Sequence, residues 1–446
     1  MTPGPARALP AALAALLLLV TGLLTGCDTA GEAGGGTAAA PGAGAAQPTA
    51  PGRWTTTWAA APASAEPGSR GTFTDTSVRN AVHTSVGGSR VRIHLSNLFG
   101  DTPLTISHTT VALAAGPGSP ATRPGTTRTL TFDGEQAVTV PPGEQAVSDG
   151  TALRVPAAAN LLVTTHTAEA PGPATHHPHA RQTNWTGPGN LTRNVTGTAF
   201  ARQSPSWHWL TAVDVHTTRA DGTVAVLGDS LTDGLTATPD THHRWTDVLA
   251  RRLLTEPGAP RLGVANAGIS GNRILTDGAD HHPPNGPSAL HRLRRDALSR
   301  AGVGVLVVQL GLNDILKEPP QRDPDRILAG LRALTRRAHT HGVHVVGTTL
   351  TPCGGHRGHR PGQETVRQAV NARIRAGSVF DAVADFDAAL RDPSHPARLR
   401  PDLDSGDHLH PNDDGYRAMA HALPLSTLRT GSPPAPHRDA AARAAP

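Results

Sequence analysis

Val224-Ala225-Val226-Leu227-Gly228-Asp229-Ser230-Leu231-Thr232-Asp233-Gly234 is the stretch on which the fold turns. Four consecutive apolar residues without alternation read as a strand buried on both faces, the kind found in a parallel sheet covered by helices. The polar, glycine-flanked run behind it reads as the turn from strand into helix, with Ser230 at the rim of the sheet. Working outward, similar apolar runs occupy 263–265, 303–310 and 343–350, and 379–386 is a candidate fifth strand. Amphipathic helical patterns fill 245–254 and 327–339 between them. The β-α-β-α order predicts a doubly wound open sheet, whose ligand sites lie beyond the carboxyl ends of the strands.

Chemistry-bearing residues do follow those runs. After the second comes Asn266-Ala267-Gly268-Ile269-Ser270-Gly271-Asn272-Arg273, and after the third Gln309-Leu310-Gly311-Leu312-Asn313-Asp314. A glycine directly after a strand lets the backbone approach a ligand and present its N–H. A neutral asparagine at the rim is suited to stabilise an oxyanion. Near the C-terminus, Asp407-His408-Leu409-His410-Pro411 spaces Asp407 and His410 three apart. That spacing lets the carboxylate hold one imidazole nitrogen and leave the other free as a base, with His408 pointing elsewhere. Each block taken alone also fits a structural role: an N-cap serine, a tight turn, a helix-capping asparagine.

Together the four blocks, GDSLTDG, NAGISGNR, GLND and DHLHP, resemble those of the SGNH, or GDSL-type, serine hydrolases, in the family's order and over residues 220–425. The resemblance implies a flavodoxin-like αβα sandwich and hydrolysis of carboxylic esters, sometimes thioesters, through an acyl-enzyme with no metal or other cofactor. Carried over by position, Ser230 is the expected nucleophile, His410 its general base and Asp407 the group that orients the imidazole. The amides of Ser230 and Gly268 and the side chain of Asn313 are the expected oxyanion hole. The expected substrate is a small-molecule ester, cleaved by an esterase or lipase. The alternative is an acylated carbohydrate, because some carbohydrate esterases place a jelly-roll domain before an SGNH domain.

The N-terminal half has another rhythm. Short alternating runs at 91–95, 130–132, 137–140 and 161–163 are punctuated by turn residues such as Asp133-Gly134 and Pro141-Pro142-Gly143, which predicts an all-β sandwich or jelly roll. The expected organisation is a signal peptide at 1–26, a flexible Ala/Gly/Pro linker at 27–52, the β-domain at 53–218, the hydrolase domain at 219–428 and a tail at 429–446. Residues 1–26 combine one arginine with an apolar run, and Leu24-Thr25-Gly26-Cys27 resembles a bacterial lipobox. Lipidation of Cys27 would anchor an exported protein to the outer face of the cell membrane. Cys353 is then the only thiol of the mature chain, which permits no internal disulfide, and it is a poor candidate nucleophile.

Composition excludes more than it selects. Lys317 is the only lysine among 40 basic residues, and Leu316-Lys317-Glu318 matches neither a P-loop nor a kinase or penicillin-binding motif. A net charge of +5 over 446 residues, with no arginine block interleaved with aromatics, argues against nucleic acid as partner. His176-His177-Pro178-His179 looks like a metal cluster but lacks a carboxylate or thiolate at a known spacing, so exposed imidazoles are expected. His242-His243 and His281-His282 lie in loops near the proposed site. Asp385 and Asp387 are expected to share a strand face without serving as paired acids. Trp54, Trp58, Trp185, Trp207 and Trp209 raise the alternative of a surface carbohydrate-binding module, with a core role as the competitor. Three Asn-x-Thr sequences, starting at Asn184, Asn190 and Asn194, fit a glycosylation pattern but read as coincidence in a Thr-rich segment.

Overall fold

In the computed structural model, residues 52–278 and 282–429 are described. The proposed signal peptide, Cys27 and its lipidation, all of the linker but Gly52, His281 and all of the tail but Arg429 lie outside them.

A five-stranded parallel sheet carries the C-terminal half, in the order Leu262–Gly268, Gly222–Gly228, Val303–Gln309, His344–Thr348, Ala382–Ala384. In chain order this is 2-1-3-4-5, the flavodoxin-like arrangement, and its switch point lies between the first and third strands. The first strand is buried at every position and pairs with both neighbours, Val226 opposite Asn266 on one side and Val307 on the other. Trp245–Thr255 and Asp413–Ala422 cover one face and Pro324–His339 the other; Leu249 and Met419 are buried in the first of these layers, Leu331 and Leu334 in the second. The predicted helices start where caps allow: Asp323 accepts from the Asp325 N–H, and Pro324 takes the first helical position, where no N–H is needed.

The fifth strand is shorter than the 379–386 run suggests. Asp385 takes an amide from Ala388 and starts the helix Phe386–Leu390, which ends the strand at Ala384. Asp385 and Asp387 therefore do not share a strand face. Asp387 is fully buried and held by Arg367 (2.6 Å), Arg375 (2.6 Å) and Arg391 (3.2 Å), a structural ion cluster.

The N-terminal half is antiparallel throughout. A five-stranded sheet built on Gly88–Ser96 and Leu210–Thr217 faces a six-stranded sheet built on Thr76–His83 and Asn160–Thr167. Val91, Ile93, Val213 and Val215 of the first share one core with Val78, Val82, Leu161 and Val163 of the second, as alternating strands of a sandwich require. Trp207 is 1 % exposed and packs edge-on to Trp58 at 4.9 Å. Trp185 and Trp209 are also buried and Trp54 lies under Arg92, so none of the five tryptophans is an open stacking platform.

The two halves are not separate bodies. Ala59, Ala61, Ala63 and Ala212 of the sandwich pack in the same core as Leu227, Ala265 and Ile269 of the parallel sheet. Thr56 donates its N–H to the Ala301 carbonyl (3.0 Å), and Ser85 Oγ accepts from the Val264 N–H (2.9 Å).

Candidate active site

The Gly222–Gly228 strand ends in a four-residue helix, Ser230–Asp233. Asp229 caps it, its Oδ1 accepting from Leu231 N–H at 3.1 Å, and Gly234 closes it in the left-handed conformation at φ +83°. Ser230 is thus fixed as the first helical residue at the carboxyl edge of the sheet, on the strand that borders the switch point.

His410 Nε2 lies 2.9 Å from Ser230 Oγ, and His410 Nδ1 lies 2.5 Å from Asp407 Oδ2. Asp407 Oδ1 accepts the backbone N–H groups of Leu409 (2.9 Å) and His410 (2.8 Å), so the same carboxylate folds the loop and fixes the imidazole. Because a carboxylate only accepts, Nδ1 carries the proton and Nε2 presents its lone pair to the serine hydroxyl. Burial opposes the charge on Asp407, but the hydrogen bond from His410 and the backbone donors hold its carboxyl well below the usual range. His408 turns away at φ +62° and binds Asp404 through Nδ1 at 2.6 Å. Chain separation between Ser230 and His410 is 180 residues, and the parallel sheet is what brings them together.

The expected oxyanion donors fare differently. Among the described residues the Ser230 N–H has no intramolecular partner. Asn313 follows Gly311 on the helix Leu312–Leu316, and its Nδ2 lies 3.4 Å from Asp229 Oδ2, one residue from the serine. Gly268, in contrast, gives its N–H to Asn266 Oδ1 at 2.8 Å and is not available to a ligand. Its glycine serves packing: a Cβ there would come within 2.3 Å of the Asp233 nitrogen, so only glycine lets the serine-bearing helix sit on the end of the second strand. Through the rest of that turn Ile269 N–H binds Gly228 O, Ser270 N–H binds Asp233 Oδ2 and Asn272 N–H binds Ile269 O. Gly271, at φ +78°, is left with the one free amide in the turn among the described residues.

The site also rests on groups that sequence reading missed. Arg292 is fully buried and donates to Ala267 O (2.6 Å), Gly228 O (2.9 Å) and Asn272 Oδ1 (3.0 Å), tying the ends of the first two strands to the glycine turn. No motif marks it, since it lies in a helix that runs from Ala289–Leu293 into a widened turn. Asp233 stands inside the GDSLTDG block, but nothing in the sequence singles it out or marks its partner. That partner is His177 of the β-sandwich, at 2.9 Å. His176 and His177 are 5 % and 4 % exposed, not surface imidazoles: their short strand is paired on both sides, to Trp207–His208 and to Ser64–Ala65. His242 stacks on His83 at 3.8 Å and His243 binds Asp413 at 2.8 Å, so both are engaged away from the serine. Burial pushes the Asp229 carboxyl up to about 6 and the Cys353 thiol up to about 12.

Residues 226–418 match the model of the GDSL-like Lipase/Acylhydrolase family. Solved structures similar to this chain include a family two carbohydrate esterase from Cellvibrio japonicus, with 11 % identity, 85 % of this chain and 97 % of that one covered, and a TM-score of 0.36. A family two carbohydrate esterase from Clostridium thermocellum in complex with cellohexaose shares 14 % identity over 79 % of this chain and 90 % of that one, at a TM-score of 0.35. A putative lipolytic protein of the G-D-S-L family from Desulfitobacterium hafniense shares 19 % identity over 46 % of this chain and 98 % of that one, at 0.34. A search of the curated proteins finds no match.

Proposed function

Because the C-terminal region belongs to the GDSL-like lipase/acylhydrolase family, whose members are serine ester hydrolases, we propose that this chain cleaves carboxylic esters with Ser230 as nucleophile, His410 as general base and Asp407 as its orienting carboxylate. The observation that carries the reading is the continuous chain Ser230 Oγ, His410 Nε2, His410 Nδ1, Asp407 Oδ2, with contacts of 2.9 and 2.5 Å.

A neutral serine is a poor nucleophile. As Oγ bonds to the carbonyl carbon, its proton passes to His410 Nε2, and the carbonyl π electrons move onto oxygen. The imidazolium so formed is stabilised by Asp407, which remains ionised because its carboxyl is held low. Collapse of the tetrahedral intermediate breaks the bond to the alcohol oxygen, which leaves with the proton from His410. Water then gives its proton to the same nitrogen, attacks the acyl-enzyme, and the acid departs as Oγ recovers a proton.

The developing oxyanion needs donors that have no other partner in the resting enzyme. On that criterion the hole consists of the Ser230 amide, the Gly271 amide and the second N–H of Asn313 Nδ2, whose other N–H makes the long contact to Asp229, with Gly271 in the role expected of Gly268. Each such donor typically contributes about 3 kcal/mol to lowering the barrier.

The test is hydrolysis of p-nitrophenyl butyrate, with labelling by a fluorophosphonate that reacts only with an activated serine. Ser230→Ala is expected to lose both while keeping the wild-type unfolding temperature. Undiminished turnover in that variant removes Ser230 from the mechanism.

A further inference from the structure

We propose that His177, supplied by the antiparallel β-sandwich, is a positioning residue for this reaction, acting through Asp233 to hold the serine-bearing helix and the Gly271 turn in fixed register. The inference rests on the ester-hydrolase reading of the same site.

The contacts form a short relay. His177 Nδ1 lies 2.8 Å from the Ala61 carbonyl oxygen and Nε2 lies 2.9 Å from Asp233 Oδ1. Both partners are acceptors only, so both ring nitrogens must donate and the buried ring is an imidazolium. Burial disfavours that charge, but the adjacent Asp233 carboxylate outweighs it and raises the His177 pKa. Asp233 is in turn held below its ordinary value, against its own burial, by His177. The other oxygen, Asp233 Oδ2, accepts both the N–H (3.0 Å) and the Oγ–H (2.6 Å) of Ser270.

Placement gives this relay its consequence. Asp233 is the last residue of the four-residue helix whose first residue is Ser230, and Ser270 immediately precedes Gly271. One carboxylate therefore links the nucleophile to the amide proposed to receive the oxyanion. A helix of one turn has too few internal hydrogen bonds to fix itself. Asp233 is 2 % exposed, and removing His177 leaves Oδ1 without its donor and the carboxylate with only the less direct charges of Arg244 and His179, so it takes up a proton or moves toward water. Either response loosens its grip on Ser270. Catalysis depends on the distance between attacking oxygen and oxyanion donors far more than substrate binding does, so the effect belongs in kcat.

The experiment compares full-length wild type, His177→Leu, His177→Gln and Ser270→Ala on p-nitrophenyl butyrate, with thermal unfolding of each. His177→Leu is expected to lower kcat on the order of 30-fold with KM within about threefold. Glutamine restores a donor to Asp233 Oδ1, though not the charge, so His177→Gln is expected to recover part of the kcat lost in His177→Leu. Ser270→Ala removes the shorter of the two contacts in the far arm, keeping the backbone N–H and leaving no buried charge unpaired, and is expected to lower kcat about tenfold. Should His177→Leu not fold, Ser270→Ala and His177→Gln decide. Wild-type kcat in a folded His177→Leu or in Ser270→Ala overturns the proposal, as does a defect that is not rescued by glutamine. Wild-type turnover that disappears in Ser230→Ala tests the ester-hydrolase reading separately, so failure of one is distinguishable from failure of the other.

Discussion

Asp229→Asn should make the protein more stable, and by an amount that grows with pH. The side chain is 1 % exposed, and burial pushes its carboxyl from 3.8 up to about 6. Between those two values the folded state binds a proton that the unfolded chain has released, so stability falls as pH rises through this window and levels off above about 6. Integrating the linkage, ionising Asp229 in the fold costs about 1 kcal/mol near pH 4.5 and about 3 kcal/mol near pH 7.5. Asparagine avoids that cost and keeps an oxygen for the Leu231 N–H that caps the serine helix. It gives up the 3.4 Å contact to Asn313, an offset on the order of 1 kcal/mol that does not vary with pH. Guanidinium unfolding followed by tryptophan fluorescence, run on both proteins from about pH 4.5 to 7.5, reads this term together with its coupling to His410 and Asp314, the charged neighbours of Asp229; the remaining titrating groups are common to both. The stability of the variant relative to wild type should increase by about 2 kcal/mol across the range. A difference that stays flat, or one that shrinks as pH rises, refutes the assignment of a raised pKa to Asp229.

Two further outcomes follow from buried groups around the same sheet edge. Arg292→Met takes one donor each from the Ala267 carbonyl and the Asn272 side-chain oxygen, leaves the Gly228 carbonyl with the Ile269 N–H alone, and leaves the buried Asp296 short of one of its cations; a loss of about 3–5 kcal/mol in guanidinium unfolding is expected, and one under about 1 kcal/mol would contradict the bracing role. Cys353 is 1 % exposed with its thiol pushed up to about 12, so it should resist a disulfide-exchange reagent such as 5,5′-dithiobis(2-nitrobenzoate) in native protein near pH 8 and react at once in denaturant; rapid reaction of the native form would show that its pocket opens readily.

What the sequence disclosed and what it concealed follow from the range of the interactions. Continuous apolar runs at 224–227, 303–310 and 343–350 announce strands buried on both faces, because that burial is written into each residue of the run. Asp407 and His410 are readable as a pair because they stand three apart in a tight loop, and the structure brings His410 to Ser230 with Asp407 behind it. The choice between Gly268 and Gly271 was not readable. Both stand in one eight-residue block, and which amide stays free depends on the Asn266 side chain and on how closely the Asp233 backbone sits over Gly268. The burial of the histidines at 176 and 177 is hidden for a related reason: a three-residue strand has no periodicity to detect, and its burial comes from partners 30 and more residues away in the chain. The end of the fifth strand was decided by a cap, Asp385, whose preference for starting a helix overrode an apolar run.

The sandwich can act on the chemistry because of small residues where it meets the parallel sheet. Gly263 has no Cβ, and one placed there would come within 2.2 Å of the Thr56 carbonyl oxygen, so the edge strand of the sheet lies directly against the Arg53–Ala59 strand of the sandwich. Ala59, Ala61 and Ala63 continue that strand as residues short enough to keep the approach close past its end. Ala61 is also the residue whose carbonyl fixes the His177 ring. The same segment that joins the two cores therefore sets the height at which His177 meets Asp233. A larger side chain at Ala61 should act on turnover as well as on stability, because lifting this segment moves the imidazole from the carboxylate that holds the serine helix. A hydrolase region cut free at 219 would lose both the apolar cover on its edge strand and the imidazole that braces the Ser230 helix through Asp233.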